Sequence, residues 1–137
     1  HPSGNLGKKL TLTLNDLIDS NRKPLVEKSS SFLKIIDEIS SNMYGATAVV
    51  EDNVIIGVVT DGDIRRIIEK KQNIENISAS DFMNKNPKIM TENTLAIKAL
   101  IHMKENRISQ VLITNNSNVY LGIVHILDII KEGVNNE

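Results

Sequence analysis

The run Gly57-Val58-Val59-Thr60-Asp61-Gly62-Asp63-Ile64-Arg65-Arg66 decides how this chain folds, because Gly122-Ile123-Val124-His125-Ile126-Leu127-Asp128-Ile129-Ile130-Lys131 answers it 65 residues later (122 − 57 = 65; 128 − 63 = 65). Each copy passes from a β-branched run into a helical pattern, and in the first copy a hydroxyl and a carboxylate stand at the joint. A chain repeating at such an interval is built from supersecondary units that bury their apolar faces on each other. A strand-to-helix joint suits holding a sugar ring or a phosphate against the helix's first amides.

Upstream of Thr60, residues Ala46 to Glu51 and Val54 to Thr60 are β-rich and separated by Asp52-Asn53, a dipeptide that tolerates the left-handed backbone of a tight hairpin. Before them, Ser29, Ser30 or Ser31 offers a cap for a helix carrying Phe32, Ile36, Ile39 and Met43 at helical spacing, and Pro24-Leu25-Val26 predicts a brief strand. Downstream, a helix begins near Asp61 and fades around Lys71. The order is strand, helix, strand, strand, helix.

The pattern then restarts beyond a break at residues 76–80. Asp81-Phe82-Met83 answers Asp16-Leu17-Ile18, and Pro87 answers Pro24. A helix from Thr94 to about Asn106 places Ala96, Ala99, Leu100 and Met103 on one side. Strands over Val111 to Thr114 and Val119 to Val124 flank Asn115-Asn116-Ser117-Asn118, and a last helix covers about Ile126 to Glu132. Residues 1–15 read as a polar linker, after which Asn15 or Asp16 caps a short turn, and 16–75 and 76–137 are the two repeats.

With 137 residues, the chain has room for two small halves sharing a core, since about 60 residues alone are marginal. It is 40% apolar and 24% charged, and no apolar stretch approaches the roughly 20 residues that cross a bilayer, so no membrane role is expected. Sixteen basic against seventeen acidic side chains give a net charge of −1, and aromatics are 3% with no Trp. Neither a phosphate-backbone footprint nor a stacking platform is present, so nucleic acid is not expected as a partner. The absence of cysteine leaves no disulfide framework or thiolate zinc site and fits a reducing, cytoplasmic compartment. The opening His1-Pro2-Ser3-Gly4 lacks an initiator Met and reads as a piece of something longer.

A doubled β-α-β-β-α unit whose third strand ends in Gly-x-x-Thr-x-x-Asp resembles the CBS-domain pair, over residues 16–133. In that family two repeats pack with pseudo-two-fold symmetry and bind adenosyl or other nucleotide ligands between them. Thr60-Asp61-Gly62-Asp63-Ile64-Arg65-Arg66 is similar to the CBS pair attached to sugar-phosphate isomerases of the arabinose-5-phosphate isomerase type, and His1 to Leu10 resembles the segment leaving their sugar isomerase (SIS) domain. The resemblance implies a parent enzyme that interconverts ribulose 5-phosphate and arabinose 5-phosphate for Kdo synthesis, toward lipopolysaccharide or capsule. It also implies that the histidine matching His1 serves that chemistry. Without a SIS domain an isolated imidazole has no pocket to work in, so these 137 residues are expected not to turn over sugar. The chain departs from the pattern at Ser3 and Asn5, where small Gly and Ala are usual, and at Leu127, where a second His is usual.

The expected ligand-binding residues are Thr60, Asp63, Arg65, Arg66, His125 and Asp128. The Asp63 carboxylate matches the vicinal hydroxyls of a ribose, Thr60 can cap the helix and touch the sugar, and Arg65 or Arg66 can meet a phosphate. The plainer alternative is that Thr60 and Asp61 only cap the helix while both arginines lie in solvent. In the second repeat His125 replaces the Thr, and either takes part in a related pocket or packs between the halves. His102 reads as a helix residue, and because Asp61 and Asp63 point to different helix faces, no metal site is expected. The fold expected is thus an α/β (α+β) tandem repeat packed as a pseudo-two-fold pair. Its function is expected to be regulatory, requiring no cofactor and sensing AMP, ATP or the nucleotide sugar CMP-Kdo. The rival is a ligand-free assembly module pairing as a homodimer through Ile67, Ile68, Ile129 and Ile130.

Overall fold

The computed structural model describes residue 7 and residues 9–134; His1 and Pro2 to Leu6, which carry much of the reading of the lead, lie outside them. A 3₁₀ turn over Leu14–Leu17 leads into the first half: β1 (Leu25–Val26), α1 (Phe32–Asn42), β2 (Ala46–Glu51), β3 (Val54–Thr60) and α2 (Asp61–Glu69). The second half opens with the short helix α3 (Ala79–Phe82) and continues as β4 (Ile89–Thr91), α4 (Ala96–Glu105), β5 (Gln110–Thr114), β6 (Tyr120–His125) and α5 (Ile126–Ile130). Each half holds one three-stranded sheet, ordered β1-β2-β3 or β4-β5-β6, with a parallel first pair and an antiparallel second pair. The α/β repeat expected from the sequence is the fold observed.

Local chemistry accounts for the boundaries. Asp52 and Asn53 both take positive φ (52° and 67°), the two-residue turn whose twist matches a hairpin, and Glu51 pairs directly with Val54. Ser31 caps α1 by accepting from the Lys34 N–H, and Met43 ends it in the left-handed region (φ 61°). The buried stripe of α1 is Phe32, Ile35, Ile39 and Asn42, not the expected Phe32, Ile36, Ile39 and Met43. Once Met43 leaves the helical φ/ψ it no longer continues the stripe, and its side chain is 79% exposed. The second long helix buries Ala96, Ala99, Leu100 and Met103 as expected. Thr13, rather than Asn15 or Asp16, is the cap of the first turn; Asp16 is its partner, accepting from the Thr13 N–H at 2.9 Å and hydroxyl at 3.1 Å.

Both faces of each sheet are covered, so the strands read as nearly continuous apolar runs. In the first half Val49 and Val59 face a core with Ile35 and Ile39, while Ala46, Ala48 and Val58 face the other sheet. In the second half Val111, Ile113 and Val124 face α4 and Ile129, while Leu112, Tyr120 and Ile123 face the first sheet. The alternate residues thus form a shared central layer that neither half supplies alone. The Tyr120 hydroxyl donates to the Pro24 carbonyl at 2.6 Å, and the Tyr120 N–H to the Asn53 carbonyl at 2.8 Å, tying the halves across that layer.

The short lead of each half docks on the opposite half. Leu14 is fully buried among Leu100, Val111 and Ile129, and the Leu14 N–H bonds the Thr94 carbonyl. Conversely Ala79 lies in the first core with Ile35 and Val59, and Phe32 meets Phe82 at 5.7 Å between ring centroids. Asn84 and Val58 exchange backbone hydrogen bonds at 3.0 and 2.9 Å. Gly57 permits this approach, since a Cβ there would stand 2.7 Å from the Met83 Sδ.

Candidate functional site

Thr60 ends β3 and caps α2, so it stands where the first sheet runs out against the second half. Its hydroxyl accepts from the Asp63 N–H at 3.3 Å, while Asp63 Oδ2 accepts from the Thr60 N–H at 2.9 Å and hydroxyl at 3.1 Å. This reciprocal box satisfies orphan amides of the helix start and is worth about 1 kcal/mol. The other Asp63 oxygen takes the Arg66 guanidinium at 2.6 Å. Arg65 lies on the exposed surface against Glu69 at 3.5 Å.

Thr60 lines an open cleft of about 230 Å³ between the halves. One wall is Val58 and Thr60; the other is built from residues 84–88, which follow α3, and 107–112, which enter β5. Val58, Pro87, Ile108 and Leu112 give it apolar surface, and Asn84, Asn86, Ser109 and Gln110 give donors and acceptors. Among the described residues its charged groups are Lys88 and Arg107, and no carboxylate lines it. Among the described residues neither cation is ion-paired, in contrast to Arg65 and Arg66. Asp63 is not in the lining; it stands behind Thr60 and fixes it.

Asp128 belongs to a second cleft, of about 170 Å³, with Asp16, Asp19 and Glu132, crossed by Arg22 and Lys131 and walled by Leu17 and Tyr44. His125 lines neither cleft. Its Nδ1 accepts from the Leu127 N–H at 3.0 Å, which fixes Nδ1 as the unprotonated nitrogen, and its backbone N–H donates to Asp128 at 2.9 Å. The histidine is therefore the cap of α5, playing the part that Thr60 plays for α2. His102 sits on the exposed face of α4 beside Asn106.

The expected residues consequently divide. Thr60 reaches one cleft and Asp128 the other, Asp63 and His125 complete capping boxes, and Arg65 and Arg66 are spent on their own helix. Lys88, Arg107, Ser109 and Asn84 have no local spelling that marks them. Their signal is the repeat itself, which folds residues 84–112 against the end of β3. Burial raises the Tyr44 phenol above its ordinary value, with Arg22 pulling the other way. Among the described residues no three His, Asp or Glu side chains form a group able to hold a metal ion, and no helix is long and apolar enough to cross a membrane.

The CBS domain family model matches this chain twice, over residues 12–70 and 79–135. Arabinose 5-phosphate isomerase KdsD of Francisella tularensis is 37% identical over 132 residues, 96% of this chain and 40% of that protein. Arabinose 5-phosphate isomerase KpsF of Escherichia coli is 33% identical over 129 residues, 93% of this chain and 39% of that protein. The chain thus spans about two fifths of the length of these relatives. Among solved structures, a CBS domain protein from Pyrobaculum aerophilum complexed with AMP superposes with a TM-score of 0.76 at 17% identity, covering 85% of this chain and 89% of that one. CBSX2 in complex with AMP gives 0.76 at 17% identity, covering 89% and 96%.

Proposed function

The chain belongs to the CBS-domain family, and from that premise we propose that it is a regulatory nucleotide-binding module of an arabinose 5-phosphate isomerase, with its ligand in the Thr60 cleft. The observation that carries this reading is the lining of that cleft among the described residues: two cations in no ion pair, no carboxylate, hydroxyl and amide groups from both halves, and an aliphatic wall. Lys88 and Arg107 meet the phosphate, the Thr60 and Ser109 hydroxyls and the Asn84 amide meet the sugar, and Val58, Ile108 and Leu112 back the base. Asp63 holds Thr60 in place. The cleft is smaller than the roughly 300 Å³ at which small-molecule pockets begin, so the phosphate end stays toward solvent.

AMP is the ligand suggested by the AMP-bound structures of this fold, ATP shares its adenosine, and CMP-Kdo is the one suggested by feedback on Kdo synthesis. The parent enzyme is cytoplasmic, and its SIS domain carries out the aldose–ketose step, His1 included. The chain by itself does not convert sugar phosphate, and neither membrane nor nucleic acid is its partner. Calorimetric titration with AMP, ATP and CMP-Kdo tests the reading. Saturable binding of one of them, lost in Thr60→Val and Arg107→Glu, is expected; no binding of any at millimolar concentration refutes it.

A second reading, subunit pairing, is favoured by Ile68, Leu127 and Ile130, which are 57%, 61% and 44% exposed on the two repeat-ending helices. Ile67 and Ile129, expected to join that contact, are buried in the fold at 7% and 0%. Their helix turns face inward, so pairing rests on the other three. Sedimentation of Ile68→Asp against wild type decides whether this surface joins two copies.

A further inference from the structure

The two clefts share two positions of the repeat, and those positions differ in chemistry. Register fixes the equivalence: Ala46 pairs with Thr60 as Gln110 pairs with His125, and Leu25 with Ala48 as Ile89 with Leu112. Met43 and Arg107, which share a left-handed backbone (φ 61° and 54°), are therefore counterparts. It follows that Tyr44 corresponds to Ile108 and Arg22 to Asn86. The small Asn86 and Ile108 of the Thr60 cleft thus answer the larger Arg22 and Tyr44 of the Asp128 cleft.

We infer that only the Thr60 cleft admits a phosphate-bearing ligand, the Asp128 cleft being plugged from within by Arg22 and Tyr44, so that the chain takes up one nucleotide. This rests on the nucleotide reading above. The Arg22 Cζ lies 4.2 Å from the Tyr44 ring centroid, over the ring, occupying a surface on which a base would stack. Arg22 is held there by its Nε and Nη2, which donate to the Asn42 carbonyl at 3.0 and 2.7 Å. Nε and Nη2 are thereby turned to the backbone, and Nη1 alone is left to meet a phosphate. Tyr44 is anchored in turn by the Gln110 amide, which donates to its carbonyl at 3.2 Å, and is 3% exposed. In the other cleft the counterparts Asn86 and Ile108 make no such pair.

Charge points the same way. The lining of the plugged cleft carries four carboxylates, of Asp16, Asp19, Asp128 and Glu132, against the two cations Arg22 and Lys131. Among the described residues the Thr60 cleft presents Lys88 and Arg107 against none. A phosphate is thus repelled at one cleft and attracted at the other over distances shorter than the roughly 8 Å screening length of physiological salt.

The test is calorimetry of the whole chain with AMP, beside the variant N86R/I108Y, which installs the plug in the Thr60 cleft. One site per chain in wild type, weakened at least tenfold in N86R/I108Y and equally in Arg107→Glu should the double variant fail to fold, is the expected result. Two sites per wild-type chain, or binding untouched by these changes, overturns the inference. If AMP, ATP and CMP-Kdo do not bind, the nucleotide reading fails, and inorganic phosphate followed by amide shifts judges the asymmetry separately. Shifts at Thr60, Ser109 and Gln110 support it. Shifts at Tyr44 and Asp128, or none anywhere, overturn it.

Discussion

Replacing Tyr120 by Phe removes one oxygen from the layer that joins the halves and leaves the ring in place. That hydroxyl donates to the Pro24 carbonyl at 2.6 Å, in surroundings where Tyr120 is 1% exposed and Pro24 is buried. In Tyr120→Phe the carbonyl keeps its desolvation and loses its donor, which costs about 1–3 kcal/mol. The contacts of the ring with Ala48, Leu112 and Ile123 persist, so no cavity term of the kind seen in large-to-small changes is added. A value near 2 kcal/mol is a sizeable part of the roughly 5–15 kcal/mol that holds a domain together. For a chain of this length it lowers the melting temperature by about 8 °C, at about 4 °C per kcal/mol. Urea unfolding followed by circular dichroism measures it, with an unchanged m-value because the surface exposed is the same. A midpoint equal to wild type would show that the hydroxyl is not shielded, and the docking of the halves described above would be wrong.

Gly57→Ala drives a Cβ to 2.7 Å from Met83 Sδ and 3.1 Å from the Asn84 carbonyl, so thermal melts should show a loss of about 1–3 kcal/mol, the range of overpacking. Ser31→Ala, which deletes the acceptor for the Lys34 N–H, should cost about 1 kcal/mol by the same measurement without altering ligand affinity. Alkaline titration has a defined sign: burial raises both Tyr44 and Tyr120, so the unfolded chain releases their protons first. The stability they confer is whole below pH 10 and is lost as pH rises beyond it; tyrosinate absorbance, reporting the chain's 2 tyrosines, should appear together with unfolding. Asp63→Asn keeps an acceptor for Thr60 but drops the charge facing Arg66, so affinity should fall less than in Asp63→Ala, which leaves Thr60 held only by the residue 63 N–H.

The architecture was legible because its signals are local. Asp52-Asn53 announces its hairpin through left-handed tolerance, and the β-branched runs around it end where turn chemistry ends them. Even the lead turns were legible as a pair, Asp16 answering Asp81, because each carboxylate closes a capping box with the residue three before it. Pro87 as the answer to Pro24 was not: pairing of Leu25 with Ala48 and of Ile89 with Leu112 makes Lys88 the counterpart of Pro24. One residue fewer in the second lead shifts the register, and only strand pairing reveals it. The site was half legible for a similar reason. Thr60 is marked by its strand-to-helix joint, whereas Lys88 and Arg107 become part of the same cleft only when the second half closes on the first. The Asp63 carboxylate has the chemistry to meet a ribose, and that chemistry is turned toward Thr60 and Arg66.

The proposed module holds one nucleotide between the halves, with groups from both. A crystal structure of the chain grown with AMP or CMP-Kdo tests it most directly. A phosphate within hydrogen-bonding reach of Arg107 or Lys88, with Thr60 beside the sugar and the Arg22–Tyr44 pair undisturbed, is the expected result. A nucleotide seated against Asp128, or outside both clefts, would contradict it.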